Sequence, residues 1–408
     1  MVSIAILGNG VVGSGLVELI EKNKKESGEE NISITKILVK DKNKHKNSRL
    51  FSIITEDIKE VIKENVNIVV EAIGGIEPAY GYIKTFLKSK KHVVTANKDL
   101  ISKHGDELLK IAKENNVKLY FEASVGGGIP ILRPMKECLV GNNVKSIKAV
   151  LNGTTNFILT KMHKEGSTFK NALITAQELG FAEFDPTADI KGYDSARKLA
   201  ILSNLAYNKK FNWESFNVEG IDNIDEYDID MANKLGGVIK LIGISEKFKE
   251  GIYTAVKPAI ISKNSILSRV ENEFNSIIIE GDSIGEIAFY GKGAGKLPTA
   301  SAIYSDIINI INNKKEKGLL FNDEKAVIFR EFPKEKDWFI RISTEYRTEV
   351  ICDINKSFKK VYVYSKNCFS KKEIFAIVYN EKEKDLKNKL DSIPNIKKLK
   401  TTIILFHS

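Results

Sequence analysis

The chain has 408 residues, 42% of them hydrophobic and 28% charged, with a net charge of +10. That length suits about two or three domains with sizeable cores, and no apolar run approaches the roughly 18 residues of a membrane-spanning helix. The three cysteines, Cys138, Cys352 and Cys368, are scattered and odd in number, which argues against a disulfide framework or a zinc site and fits a reduced cytoplasm.

The N-terminal stretch "MVSIAILGNGVVG" has no basic leader and no cleavage pattern. It reads as a first strand, 2–7, entering a turn, and not as a targeting peptide. A helix follows through Val17, Leu19 and Ile20. Strands are expected at 32–39, 66–75 and 91–98, with a helix at 79–90. A helix at 104–116 precedes a strand at 117–125. Strands alternating with helices predict a parallel, doubly wound α/β sheet. The pattern then changes. Residues 144–162 turn from strand to helix through the small polar loop "NGTT". Residues 252–290 are strand-rich, and a second glycine-rich loop, "GKGAG" at 291–295, leads to an apolar helix at 303–313. Residues 312–325 read as a linker. The tail orders as βαββαβ: a strand at 338–344, a helix near 349–358, strands at 359–365 and 373–379, a helix near 382–390 and a strand at 397–406. That order is ferredoxin-like. Residues 313–408 hold 22 Lys and Arg against 14 Asp and Glu. These charges are interspersed, as on solvated faces, so no nucleic-acid partner is expected.

"GNGVVG" is a G-x-G-x-x-G between a strand and a helix. Gly8 permits the tight turn, Gly10 lets the backbone approach a pyrophosphate, and Gly13 lets the helix pack on the strand. Asn9, Val11 and Val12 fill the loop at the helix N-terminus, where free N–H groups suit phosphate. The context predicts a Rossmann-like dinucleotide site. At the end of the second strand an acid would select NAD and a base NADP. Lys40 and Asp41 offer both, with Lys42, Lys44 and Lys46 nearby. The positive local charge favours NADP, with NAD as the alternative.

Residues 180–202 read "GFAEFDPTADIKGYDSARKLAIL". Four carboxylates, Glu183, Asp185, Asp189 and Asp194, precede one lysine, Lys198, which follows Asp194 at i+4 on one helical face. Such a group can move a proton or grip a charged small molecule. Asp185 before Pro186 reads as a turn or cap residue.

"TANKDLISKHG", "FEASVGGGIPILRPMKECLVGN", "LNGTTNFILTKM" and the 180–202 stretch occur in this order. Together they resemble the homoserine dehydrogenase family over residues 1 to about 312. The resemblance implies reversible hydride transfer between NAD(P)H and L-aspartate 4-semialdehyde, giving L-homoserine for threonine and methionine biosynthesis. It implies a nucleotide-binding domain at 1–130 plus 291–312 and a catalytic and dimerisation domain at 131–290. A C-terminal domain at 325–408 is similar to an ACT domain. A cytoplasmic homodimer or homotetramer is expected.

By the same resemblance Lys198 transfers the proton with Asp194 beside it, and Lys98, at the end of a strand, lies between nicotinamide and substrate. Glu183 takes the substrate ammonium, Asp189 is a further site acid, and Gly153 and Thr154 offer groups to the substrate. Gly74, Gly293 and Gly295 line the cofactor. Glu122 and the carbonyls of Val125, Gly127 and Ile129 hold a monovalent cation such as Na+. Two departures stand out. Phe181 replaces the family's usual tyrosine. The loop in "ISTEYRTEVI" lacks the glycine of the D-x-x-G pattern, which speaks against threonine feedback and leaves assembly as the tail's role. The alternative reading is a non-catalytic NADP-binding regulator, which would need damage in the lysine and acid set.

Overall fold

The computed structural model describes residues 1–27, 32–312, 321–322, 324–364 and 372–406. Cys368 and most of the expected linker fall outside the described residues. The chain begins β1 (Val2–Leu7), α1 (Val11–Ser27), β2 (Ile32–Leu38), β3 (Ile54–Thr55), α2 (Ile58–Lys63), β4 (Ile68–Glu71), α3 (Ala79–Lys88), β5 (His92–Thr95), α4 (Lys98–Glu114) and β6 (Leu119–Tyr120). The six strands form one parallel sheet in the order β3-β2-β1-β4-β5-β6. Ile4 to Leu7, Ile68 to Val70 and Val93 to Val94 are all fully buried. Strands covered on both faces read as unbroken apolar runs, which is why this layer was legible.

The chain continues with α5 (Leu132–Glu137), β7 (Val144–Val150), α6 (Gly153–Glu165), α7 (Phe169–Glu178), α8 (Thr187–Ile190), α9 (Tyr193–Tyr207), β8 (Asn217–Val218), α10 (Glu226–Lys234), β9 (Gly237–Lys247), β10 (Ile252–Ser262), β11 (Phe274–Gly281) and β12 (Gly285–Lys292). Then α11 (Lys296–Asn312) returns to the first layer. There the Lys296 carbonyl sits where a Cβ on Gly15 of α1 would come within 2.7 Å, and Lys296 pairs with Glu18 at 2.7 Å. The tail is β13 (Ile328–Phe329), β14 (Lys336–Ser343), α12 (Arg347–Ser357), β15 (Val361–Val363), β16 (Glu373–Glu381), α13 (Glu383–Ser392) and β17 (Lys398–Phe406).

The tail's four main strands run antiparallel in the order β17-β14-β16-β15. They do not stand apart. β17 pairs in parallel with β10 at Ala259 to Ile261, so tail and middle share one eleven-stranded sheet. One edge of β10 is covered in succession by β13, β8 and β17. Pro258, with no N–H to donate, falls in the interval between the last two.

Two local expectations are corrected. The strand at 91–98 ends at Thr95, and Lys98 is the first residue of α4. The reason is Asn97, whose side chain caps the helix by accepting from Leu100 N–H at 3.1 Å. The strand at 117–125 keeps only two residues before a 3-10 turn at Glu122–Ser124. The central strand β9 carried no expectation. Among the described residues no helix is long and apolar enough to cross a membrane.

Candidate active site

The turn after β1 opens a cleft of about 1100 Å³. Gly8 has φ of +99°, and a Cβ there would meet the Ala72 carbonyl at 2.7 Å. A Cβ on Gly13 would lie 2.0 Å from the Gly8 carbonyl, while Gly10 faces open space. Only glycine fits the first two positions, and the third admits a ligand to the backbone. Val11 opens α1 and is exposed, with Val12 half-buried behind it. Lys40, Lys44 and His45 line the cleft with Asp41. The Asp41 carboxylate caps its own 3-10 turn by accepting from Asn43 N–H at 2.9 Å. His45, missed in the sequence, comes within 3.4 Å of the Asn9 side-chain nitrogen. Asn9 Oδ1 is buried without a partner among the described residues. An open glycine turn, a cationic wall and an orphaned amide oxygen fit a dinucleotide.

Glu71, fully buried at the end of β4, holds the far wall. Its carboxylate accepts from Ile73 N–H at 2.8 Å, Gly74 N–H at 3.1 Å and the Thr95 hydroxyl at 2.5 Å. The same hydroxyl accepts from Asn97 N–H at 3.0 Å, and Asn97 donates to the Gly75 carbonyl. Gly74, with φ of +80°, has nothing within 4 Å of where a Cβ would lie. This chain of bonds sets both the open turn and the start of α4, where Lys98 stands.

Lys98 points at α9. Gly192, with φ of +82°, precedes that helix, and Asp194 and Lys198 lie one turn apart on it. Asp194 is 3% exposed and Lys198 9%. Lys198 Nζ donates to Asp194 Oδ2 at 2.8 Å and to the Leu151 carbonyl at 2.9 Å. Lys98 Nζ lies 3.0 Å from Asp194 Oδ1. Asn152 donates to Asp194 at 2.8 Å and to Asp189 at 2.6 Å. Burial pushes the Asp194 carboxyl up, but Lys198, Lys98 and the Asn152 bond outweigh it and hold it well below the usual carboxylate range. Asp189 is raised by its own burial and then by the charge on Asp194. Lys98 is raised chiefly by Asp194. Beside this row Arg197 pairs with Asp99 at 3.2 Å and lies 4.8 Å over the Trp213 ring. That second bridge ties α9 to α4 and keeps the two lysines facing each other.

Not every expected residue joins this group. Glu183 is exposed, and its carbonyl accepts from Gln177 at 3.1 Å. Asp185 caps Thr187 and is exposed. Gly153 begins α6, and the Thr154 hydroxyl donates to the Phe181 carbonyl at 2.6 Å. The Phe181 ring packs 5.0 Å from Phe157. The Glu122 carboxylate accepts from Ile131, Leu132 and Arg133 N–H at 2.5–2.8 Å. It is therefore committed to the start of α5, which leaves the carbonyls of its loop as the available oxygens. Burial raises Glu122 against the three amide bonds. Among the described residues no group of three or more His, Cys, Asp or Glu could hold a metal ion. Gly293 is wedged against Gly127, where a Cβ would lie 2.5 Å from the Gly293 carbonyl. Gly295 has φ of +122°.

Asn152, Leu151, Glu71, Asn97 and Arg197 were all missed. Asn152 alone carried a local signal, as the polar residue opening "NGTT". The others act through partners far away in sequence.

Residues 8–122 match the family model described as "Homoserine dehydrogenase, NAD binding domain", and residues 130–308 match "Homoserine dehydrogenase". The Bacillus subtilis homoserine dehydrogenase is 43% identical, covering 77% of this chain and 74% of its own. That of Helicobacter pylori is 36% identical over 98% of this chain and 97% of its own. The solved homoserine dehydrogenase of Thiobacillus denitrificans superposes with a TM-score of 0.90 at 30% identity, covering 99% and 98% of the two chains. A hyperthermophilic archaeal homoserine dehydrogenase in complex with NADPH covers 76% of this chain and 97% of its own, with a TM-score of 0.64 at 33% identity. These matches lend nothing to a non-catalytic regulator. With an intact glycine turn and lysine–aspartate row behind them, they place this chain in the homoserine dehydrogenase family of NAD(P)-dependent oxidoreductases.

Proposed function

We propose that the chain interconverts L-homoserine and L-aspartate 4-semialdehyde with NADP, using Lys198 as proton donor and acceptor. The observation that carries this is one buried carboxylate, Asp194, shared by two ammonium groups. An ammonium has three donors. Lys198 uses two of them, on Asp194 and Leu151, and the third is free for the substrate oxygen. Bound NADP supplies the hydride acceptor or, reduced, the donor. In reduction, Lys198 protonates the carbonyl oxygen; in oxidation, its neutral amine takes the hydroxyl proton. Lys98 has a distinct task. When Lys198 is neutral, Lys98 keeps Asp194 from becoming an unpaired buried charge.

Lys40, Lys44 and His45 suit the extra phosphate of NADP, since the two acids that share the cleft are each spent on backbone, Asp41 on Asn43 N–H and Glu56 on Lys42 N–H. Gly8, Gly10 and Gly13 carry the pyrophosphate, with Gly74, Gly293 and Gly295 around the rest of the cofactor. Asp189, with Glu183 from its exposed loop, takes the substrate ammonium, and Gly153 and Thr154 meet its other end. A monovalent cation on the carbonyls of Glu122, Val125, Gly127 and Ile129 brackets the loop. The expected division at 1–130 plus 291–312, 131–290 and 325–408 remains our working one. A cytoplasmic homodimer, with an ACT-like tail serving assembly, completes the reading.

The test follows nicotinamide absorbance during L-homoserine oxidation, with NADP and NAD in parallel. Lys198→Ala should lower kcat at least about a hundredfold, and NADP should be used better than NAD. No turnover by wild type with either cofactor, in a folded protein that binds nucleotide, would sink the reading.

A further inference from the structure

Asn275 lies at the start of β11 and is fully buried, yet neither atom of its side-chain amide has a partner among the described residues. Native chains leave few such groups, because a buried unpaired donor or acceptor keeps the whole cost of its lost hydration. Its position is specific. Asn275 is opposite Gly291 of β12 and precedes Ser276, which is opposite Val150 of β7. The next residue on that strand's path, Leu151, gives its carbonyl to Lys198.

The amide presses on the second glycine loop. A Cβ on Gly293 would lie 2.1 Å from both Cγ and Nδ2 of Asn275, and one on Gly127 would lie 2.5 Å from the Gly293 carbonyl. The Gly293 backbone is thus clamped between Asn275 and the 126–128 loop. The clamp is van der Waals packing, with no hydrogen bond from the amide. Three residues on, Lys296 rests against Gly15 of α1, within the helix that Gly10 and Gly13 begin. The 291–295 loop therefore runs from the Asn275 amide to the phosphate end of the dinucleotide cleft.

We propose that Asn275 is a positioning residue for the dinucleotide, its amide bonding the backbone of the Gly293–Gly295 loop only when that loop closes over bound cofactor. The inference rests on the dinucleotide reading of the cleft. In the open position the amide's donors and acceptor are wasted, which destabilises that position. In the closed position they meet loop N–H and C=O groups, and the difference adds to cofactor affinity. Gly293 has no side chain to block the shift, and the positive φ of Gly295 gives the hinge its freedom. If the residue served packing alone, leucine would do better there.

Asn275→Leu keeps nearly the same shape and removes the unpaired groups. The thermal midpoint of the cofactor-free protein should hold or rise. The Kd for NADPH, read by its fluorescence, should weaken about tenfold, as the loss of one or two net hydrogen bonds gives. The KM for NADP should rise in parallel, with kcat and the KM for homoserine changing less than about twofold. Asn275→Ala, should leucine overfill the clamp, must weaken NADPH binding as well. NADPH binding at wild-type strength in either folded variant overturns the proposal, as does an equal loss of homoserine affinity. NADPH binding needs no turnover, so a wild type that binds it without oxidising homoserine would end the enzymatic reading alone. A wild type that binds no NADPH would overturn both.

Discussion

Asp194 and Glu383 are both buried carboxylates gripped by lysines. Asp194 lies between Lys98 and Lys198 where α4 meets α9, and Glu383 between Lys257 and Lys387 where α13 meets β10. The balance of charge differs. Between α4 and α9 two ammonium groups share one carboxylate, and a donor is left over. At the seam the buried Lys257 meets two carboxylates, Glu383 and Glu219, the latter at 3.0 Å. Glu383 also accepts from Phe332 N–H at 2.8 Å. Nearby, the buried Arg341 is ringed by Asp225, Asp228 and Glu373. Burial and pairing are common to both regions, so they do not mark chemistry. The donor in excess of its partners at Lys198 is what sets the first region apart, and the proposed proton transfer rests on it.

The comparison can be broken first at the seam. Glu383→Gln leaves Lys257 short of a partner in a buried site, and stability should fall by about 3 kcal/mol in urea unfolding. Turnover by the folded protein should stay within about twofold of wild type. A large loss of kcat there would mean that the seam is part of the reaction after all. Asp194→Asn is the mirror case. Its kcat should drop about a hundredfold, with a smaller change in stability than at the seam because Lys98 is partly exposed. Wild-type activity in that variant would erase the distinction.

A third titratable group sharpens the contrast by belonging to neither region. His163 of α6 accepts from Ile239 N–H at 2.8 Å through Nε2, which requires the ring nitrogen to be unprotonated. Burial, helped by the charge on Lys240, lowers it from 6.5 to about 4. The unfolded chain binds this proton more readily than the folded one. Its contribution is therefore complete above about pH 6.5 and lost as the pH falls toward 4, by about 2 kcal/mol after allowance for partial exposure. His163→Gln should flatten that part of the stability profile in pH-dependent unfolding. An unchanged slope would show that other groups carry it.

Much of this organisation was legible beforehand, for physical reasons. The parallel layer announces itself through apolar strands and glycines whose spacing is dictated by a tight turn. The i+4 spacing of Asp194 and Lys198 told of a shared helical face, but not that the face is buried or that Lys98 arrives from α4 to share the carboxylate. Those facts depend on contacts across roughly a hundred residues. Lys98 itself was misplaced by a few residues because the cap made by Asn97 ends the extended chain sooner than the apolar run suggests. Glu122 looked like a free acid in a glycine loop, and only the folded path brings three N–H groups to it. The tail's order of elements was readable, whereas its joining to β10 was not, since a strand edge leaves no mark on the partner's sequence.

That joining has a consequence for anyone wishing to shorten the protein. A cut before residue 325 would strip both β13 and β17 from β10 and, among the described residues, leave only β8, at Ala255 and Val256, on that side. The backbone of Ala259, Ile260 and Ile261 would become an unprotected strand edge flanked by apolar side chains. Such edges recruit other strands. A shortened chain should therefore tend to self-associate unless the exposed stretch is redesigned with charge, however well its cleft is preserved.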